Sequence, residues 1–295
     1  MSIQILRAPV GRAIRCLLFD CGETLWTSAD KALLQQFEQA ANKQALVVLS
    51  EYIAPTMFTT DQAILGEQLR TTISMQIQAL TVQNPAYEPD FSLAVNTALA
   101  QLDLPQVSRT QALEIFEALR LPTAPSRQLF PDALTTLAAL RERGFLLGIV
   151  TNRHYGGQPF MDGVRQLGLL DYFEPRHMAI SADLGIRKPN AAIFQYALDA
   201  LNVAPAEAAM VGDSLRADIA GAQNLQLYTI WKPKSWLLAS LNPSGTQTID
   251  ADAWLMQAVE QENEKYQQRR EPVMPDLIIE HLRDLLPLFV KAGQQ

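Results

Sequence analysis

Short apolar runs recur along this 295-residue chain and alternate with longer stretches of helical periodicity. Six runs have the length and the branched or aromatic content of buried strands. They cover residues 14–19, 145–150, 177–180, 208–212, 227–231 and 277–280. Helical patterns lie at 131–144, 160–170, 191–202 and 217–225. This alternation predicts βαβ units and therefore an α/β fold built on a parallel sheet.

The interval from residue 25 to about 125 carries only helical patterns, which are rich in Ala, Leu and Gln. The simplest interpretation is an all-helical domain inserted after the first strand, with residues 121–127 as the return linker. We therefore expect a core domain of residues 1–25 and 122–295 and a helical domain of residues 26–121. Plausible N-caps inside the insert are Ser28 and the pair Thr60 and Asp61.

A second, smaller insert of about residues 232–274 separates the fifth strand run from the last. Five apolar residues form a helical stripe on this otherwise polar segment. They are Trp254, Leu255, Ala258, Val259 and Tyr266. We expect the stripe to pack against its own domain. A dimer contact is the alternative, so the chain is expected to be a monomer or a homodimer.

The charge balance restricts the partners. A net charge of −7 and a pI near 5.1 argue against nucleic-acid binding, which needs a basic face. No apolar run approaches the roughly 20 residues of a membrane span, and the N-terminus lacks the apolar stretch of a signal peptide. Cys16 and Cys21 give no disulfide framework, which favours packing roles and a reducing, cytoplasmic location.

Polar residues stand where four of the predicted strands end. Carboxyl ends of parallel strands meet at one edge of a sheet, and ligands bind there. We expect the following side chains to converge on one crevice: Asp20, Thr151, Asn152, Lys188, Asp213 and Asp218.

These residues stand in "FDCGETL", "GIVTN", "GIRKPN" and "VGDSLRAD", an order that resembles the haloacid dehalogenase superfamily of hydrolases, mostly phosphatases. The resemblance covers about residues 14–25 and 127–231, with 277–279 as the last strand. It implies a doubly wound, Rossmann-like core with an inserted helical cap. It also implies that Asp20 is the nucleophile, that Thr151, Asn152 and Lys188 bind the phosphoryl group, and that Asp20, Asp213 and the carbonyl of Gly22 bind Mg²⁺. Asp218 would hold Lys188 or the metal in position without itself contacting the phosphoryl group.

The chemistry is consistent with those roles. A carboxylate that attacks a phosphoryl group splits one difficult displacement into two through an aspartyl-phosphate. Two anions must meet, so Mg²⁺ and a compact positive charge such as Lys188 are needed to screen them. The expected substrate is a small phosphorylated metabolite.

One element of the family pattern is missing. The second aspartate of D-x-D-x-T is replaced by Gly22, and Glu23 comes next. Glycine retains the metal-binding carbonyl but not the carboxyl group that protonates the leaving oxygen, a function typically worth about 10²–10⁴-fold. Either Glu23 or a cap residue is the candidate replacement. His154 and Tyr155, which follow the second motif, either touch the substrate or serve only the loop.

Two other functions remain open. One is a catalytically weak, phosphate-binding protein that acts through its cap or through the 232–272 segment. The other is dehalogenation of a small 2-haloacid. The dehalogenases of the superfamily lack the metal-binding carboxylates that "GDSLRAD" retains, so the sequence favours a phosphatase over a dehalogenase.

Overall fold

The computed structural model describes residues 3–9, 11–58, 60–241, 251–264 and 272–293. It contains nine strands in this described part. They are β1 Ile3–Ile5, β2 Cys16–Phe19, β3 Trp26–Ser28, β4 Arg127–Leu129, β5 Leu146–Thr151, β6 Met178–Ile180, β7 Ala208–Gly212, β8 Tyr228–Trp231 and β9 Leu277–Ile279. Seven strands form one sheet in the order β1-β9-β8-β7-β2-β5-β6. All neighbours are parallel except β1 and β9, which confirms the predicted α/β fold with a parallel sheet.

Eleven α-helices accompany these strands in the described residues. They are α1 Lys31–Tyr52, α2 Gln62–Gln83, α3 Phe91–Gln101, α4 Arg109–Ala118, α5 Ala133–Glu142, α6 Gly157–Gln166, α7 Ser181–Leu184, α8 Ala191–Leu201, α9 Ala220–Gln223, α10 Ser235–Leu241 and α11 Ala251–Glu264. None of the helices in the described residues is long and apolar enough to cross a membrane.

Strand β2 lies in the middle of the sheet, between β5 and β7. All four of its residues are buried, because helices cover both faces of the sheet. Leu17 and Phe19 pack into the core on one face, while Cys16 and Leu18 pack into the core on the other. This central position carries Asp20, the next residue, to the carboxyl edge of the sheet with little freedom to move.

Helices α1 to α4 pack against one another around a separate apolar core, which includes Leu49, Leu69, Val95 and Ile115. Carboxylate or hydroxyl N-caps begin all four helices. These caps are Asp30, Asp61, Asp90 and Ser108. The prediction of Asp61 is confirmed, but Ser28 is wrong as an N-cap. Ser28 ends β3, and the first helix begins three residues later at Lys31, directly after its N-cap Asp30.

A two-stranded antiparallel ribbon, β3 and β4, joins the four helices to the sheet. The sequence pattern predicts no strand here, because β3 and β4 are short and carry polar residues, so neither forms an apolar run. The predicted return linker 121–127 runs directly into β4. The ribbon therefore places Arg127 beside the segment that follows Asp20.

The 232–274 insert contains α10 and α11 in its described residues. Leu255, Ala258 and Val259 are buried against Trp231 and Ile278 of the core, so this part of the stripe packs on its own domain as expected. Trp254 is only partly buried there, and Tyr266 lies outside the described residues.

Candidate active site

Asp20 is the first residue beyond β2, and its N–H donates to the carbonyl of Val211 on the neighbouring strand. Its side chain is 10% exposed and faces a cavity of about 350 Å³ at the carboxyl edge of the sheet. The backbone is held by the sheet while the carboxylate remains accessible. This combination is what an attacking group requires.

Lys188 is the cation closest to that carboxylate. Its Nζ lies 2.6 Å from Asp20 Oδ1, 2.6 Å from Asp218 Oδ1 and 2.6 Å from the carbonyl of Val150. Burial alone would lower the pKa of Lys188, but the two carboxylates more than offset it, and the pKa lies above its ordinary value. Lys188 is therefore a fixed positive charge beside Asp20 throughout the physiological range.

The segment after β7 supplies two more carboxylates. Gly212 allows the side chain of Asp218 to lie close to the main chain at the end of β7, because a Cβ at residue 212 would lie 2.3 Å from Asp218 Cγ. Asp218 belongs to a π-helical turn, Leu215–Ile219, and its second oxygen accepts from the N–H of Ser214. The main-chain carbonyl of Asp213 is held by the indole N–H of Trp231 at 2.7 Å.

Asp20, Asp213 and Asp218 each offer one carboxylate oxygen to a common group, and these three atoms lie within 4.8 Å of one another. Burial, and then the charges of Asp218 and Asp20, raise the pKa of Asp213 well above its usual range. Burial raises the pKa of Asp218 as well, although Lys188 opposes the shift. Lys234 also lines the cavity, and its Nζ lies 3.3 Å from Asp213 Oδ2. The cluster thus concentrates negative charge that a divalent cation would stabilise.

Thr151 and Asn152 end β5 on the other side of Asp20, and both line the cavity. Thr151 is 2% exposed. Asn152 binds the main chain of Lys188 twice, since its Oδ1 accepts from Lys188 N–H at 2.8 Å and its Nδ2 donates to Lys188 O at 3.0 Å. Its side chain therefore holds the loop that carries Lys188.

The turn after Asp20 is fixed by hydrogen bonds. Glu23 adopts a left-handed conformation with φ of 55°, and its carbonyl accepts from Lys232 Nζ at 3.0 Å. Its carboxylate accepts from Thr27 Oγ1 at 2.8 Å and faces the same cavity. Gly22 is exposed with φ outside the left-handed region, and a Cβ built there meets no heavy atom within 4 Å.

Two arginines that sequence reasoning missed also line the cavity, Arg127 from β4 and Arg153 directly after Asn152. The position of Arg153 next to the second motif was a usable signal. Arg127 could not be found in this way, because the pairing of β3 with β4 that brings it to the cavity is not visible in the sequence pattern. No described residue of α1 to α4 lines this cavity, so the cap residue considered as a proton donor has no candidate there.

His154 and Tyr155 are not among the described residues that line the cavity. The ring of Tyr155 stacks on Phe116 of α4 at 4.4 Å, and its hydroxyl donates to the carbonyl of Phe116. His154 lies 3.3 Å from Glu88, the residue two before the N-cap of α3. Of the two interpretations left open, these positions favour the role in the loop, where both side chains contact the helical insert rather than the cavity.

The fold and this edge of the sheet define a class: a Rossmann-like α/β core with carboxylates and a lysine gathered at the carboxyl ends of its strands. A family model for haloacid dehalogenase-like hydrolases matches residues 14–226. The chain belongs to this family of hydrolases, as its motifs indicate.

Named relatives of the chain include phosphatases. It is 30% identical over 222 residues to a glyceraldehyde 3-phosphate phosphatase of Pyrococcus furiosus, covering 75% of this chain and 81% of the relative. It is 38% identical over 105 residues to a phosphoserine phosphatase of Thermus thermophilus, covering 35% and 40%.

Solved structures show the same fold. A haloacid dehalogenase-type phosphatase from Thermococcus onnurineus has a TM-score of 0.53 at 22% identity, over 95% of this chain and 100% of the other. A 2-haloacid dehalogenase from Pseudomonas syringae has a TM-score of 0.53 at 26% identity, over 93% and 97%.

Proposed function

We propose that this protein is a Mg²⁺-dependent phosphatase of small phosphorylated metabolites, acting through an aspartyl-phosphate on Asp20. The observation that carries the proposal is the grouping of Asp20 with Lys188, Asp213 and Asp218 at the mouth of the sheet. The named phosphatases among its relatives support the reaction class. A small substrate suits a cavity of about 350 Å³.

The residues present fit a hard divalent cation. Asp20 and Asp213 offer carboxylate oxygens, and exposed Gly22 lines the same cavity with its main chain. Mg²⁺ prefers few protein ligands and oxygen donors, which these groups supply. When bound, the cation would screen the carboxylates from the incoming phosphate and polarise a phosphoryl oxygen.

The remaining steps belong to the side chains. The free oxygen of Asp20 attacks phosphorus as the bond from phosphorus to the leaving oxygen breaks, and the leaving group departs with that electron pair. Water then hydrolyses the aspartyl-phosphate, which releases inorganic phosphate and regenerates Asp20. Lys188 neutralises charge on both the nucleophile and the phosphoryl group. Asn152 keeps Lys188 in place through its two main-chain hydrogen bonds. The hydroxyl of Thr151 and the N–H groups of the turn after Asp20 are the further donors to the phosphoryl oxygens.

Proton transfer is the weak part of the site. Gly22 supplies no acid, and the carboxylate of Glu23 is engaged by Thr27 and stands outside the three-carboxylate group. Substrates with good leaving groups, such as aryl and acyl phosphates, depend least on an acid. We therefore propose that the enzyme prefers such substrates to simple alkyl phosphates.

A substrate screen tests the proposal. Purified protein with Mg²⁺, or with a chelator as control, is offered acetyl phosphate, p-nitrophenyl phosphate, sugar phosphates and 2-chloropropionate. Phosphate release that requires Mg²⁺ is the expected result. Chloride release from 2-chloropropionate would replace the proposal with dehalogenation. Binding of phosphate without turnover of any ester would replace it with a phosphate-binding role.

A further inference from the structure

The cavity beside Asp20 is also lined by two arginines that the proposed phosphoryl chemistry does not use. Arg127 and Arg153 both line it, together with Trp26, Thr27 and Ser28. Lys188 already serves the nucleophile, so these arginines represent additional positive charge in a small space.

Neither arginine forms an ion pair with a carboxylate in the described part of the chain, although Glu23 raises the pKa of Arg127 and Asp20 raises that of Arg153. Arg127 donates to the carbonyl of Ser126 at 2.9 Å, and the carboxylate near it, Glu23, is held by Thr27. Nε of Arg153 is buried and has no hydrogen-bond partner among the described residues. A buried donor without a partner costs free energy unless a ligand or water satisfies it.

Arg153 is also held in place. Its guanidinium carbon lies 4.5 Å from the ring centroid of Phe160 and 5.9 Å from that of Trp26. Two aromatic faces orient the planar group and limit its rotamers, which reduces the entropy that a ligand must offset. Such a preorganised guanidinium is suited to paired hydrogen bonds with a carboxylate or phosphate.

The two arginines are close enough to repel each other. Burial, followed by Arg127, lowers the pKa of Arg153 to about 10. Cys21 and Asp20 oppose this shift, and both arginines remain charged at neutral pH. An anion bound beside both would interact favourably with each charge.

We infer that Arg127 and Arg153 bind a second anionic group of the substrate, a carboxylate or a second phosphate, while Lys188 and Asp20 engage the phosphoryl group that is transferred. The preferred substrates are thus small phosphate esters with a second acidic group. This inference rests on the proposed phosphatase function.

The test compares three esters of similar size: ethyl phosphate, 2-phosphoglycolate and 1,2-ethanediol bisphosphate. The first lacks a second anion, the second carries a carboxylate and the third a phosphate. For wild type, kcat/KM should be at least about tenfold higher for one of the esters with a second anionic group than for ethyl phosphate, and the better of the two identifies the group recognised. Arg127→Gln and Arg153→Gln should each reduce that ratio by about tenfold.

Arg120→Gln is the matched control. Arg120 lies near enough to Arg153 to lower its pKa, but it binds Glu117 and the carbonyl of Gly156 and is not among the residues that line the cavity. Arg120→Gln should keep the wild-type ratio of kcat/KM between the preferred ester and ethyl phosphate. A ratio near one for wild type would overturn the inference. So would a ratio that survives both cavity substitutions, or one that falls equally in Arg120→Gln.

A binding experiment separates failure of this inference from failure of the proposed function. Calorimetry with the Asp20→Asn protein measures affinity for the same three esters without turnover. An ester with a second anionic group should bind more tightly than ethyl phosphate. Loss of that difference when Arg153→Gln is added supports the inference even if wild type hydrolyses nothing. Equal affinity for all three esters overturns it even if wild type is an active phosphatase.

Discussion

The carboxyl edge of the sheet and the helical insert lie side by side but contribute differently to the candidate site. The cavity is lined by the ends of strands β2, β5 and β7 and by the ribbon, and by no described residue of α1 to α4. The insert instead contacts the core beside the cavity. There, Glu88 pairs with Arg187 at 2.6 Å, and Arg120 donates to the carbonyl of Gly156.

We therefore expect the sheet edge to carry the chemistry and the insert–core contact to hold the neighbouring loops in position. Substitutions at the sheet edge should change turnover and metal affinity with little effect on folding. Substitutions at the insert–core contact should change stability and its pH dependence. Arg187 directly precedes Lys188, so the contact is also one residue away from the group that faces the nucleophile.

The largest effect is expected at Asp20. Asp20→Asn retains the shape of the side chain but cannot attack phosphorus, so kcat should fall by at least about 10³-fold. Phosphate release measures the loss, and thermal unfolding confirms the fold. Asp171→Asn, an exposed surface change, is the control. A variant that retained several per cent of wild-type kcat would remove Asp20 from the role of nucleophile.

The next effect concerns the missing acid. Wild type should hydrolyse aryl phosphates faster than alkyl phosphates by on the order of 10²-fold. Gly22→Asp should narrow that gap by accelerating the alkyl esters selectively. The change is sterically permitted, since a Cβ at Gly22 meets nothing within 4 Å. Gly22→Ala is the control and should leave the gap as it is. Equal wild-type rates on both classes would mean that another group donates the proton.

A smaller effect is expected on metal affinity. Asp213→Asn removes one carboxylate charge from the cluster, so Mg²⁺ binding should weaken by on the order of tenfold or more. Calorimetry on metal-free protein measures it, with Asp171→Asn as the control. Unchanged affinity would place the cation at other ligands.

The smallest effect concerns the insert–core contact. Burial opposes ionisation of Glu88, but His154, Ser181 and Arg187 more than offset it, so its pKa is lowered. Its stabilising contribution is therefore present above the ordinary pKa of 4.5 and is lost as the pH falls through the lower folded value.

Glu88→Gln should lower the free energy of unfolding at neutral pH by about 1–3 kcal/mol, since it leaves Arg187 without its charge partner. Chemical denaturation at several pH values measures this. The difference from wild type should shrink as the pH falls below 4.5. A constant difference across that range would show that the carboxylate charge does not hold the contact.

Much of the sheet edge was predictable from sequence. Four side chains at strand ends share one cavity because parallel strands must end at one edge, and Lys188 and Asp218 reach the same cavity from the segments that follow β6 and β7. Their catalytic roles remain predictions. The parallel sheet also follows from the alternation of apolar runs with helices.

The remaining parts depend on tertiary contacts. Strands β1, β3 and β4 have three residues each and include polar residues, so they lack the apolar run that marks the equally short β6 and β9. Arg127 reaches the cavity only because β4 pairs with β3. Tyr155 lies close to the second motif in sequence, yet it turns to stack on Phe116, and nothing in the local pattern indicates this.

The formation of a phosphoenzyme on Asp20 is the most direct test of the proposed mechanism. Protein mixed with acetyl phosphate and Mg²⁺ is quenched in acid within the first turnover and analysed by peptide mass spectrometry. One phosphoryl group should appear on the peptide that contains Asp20, and none should appear in Asp20→Asn. Phosphate release in the first turnover with no covalent phosphoryl group, or with the group on another residue, would contradict the mechanism.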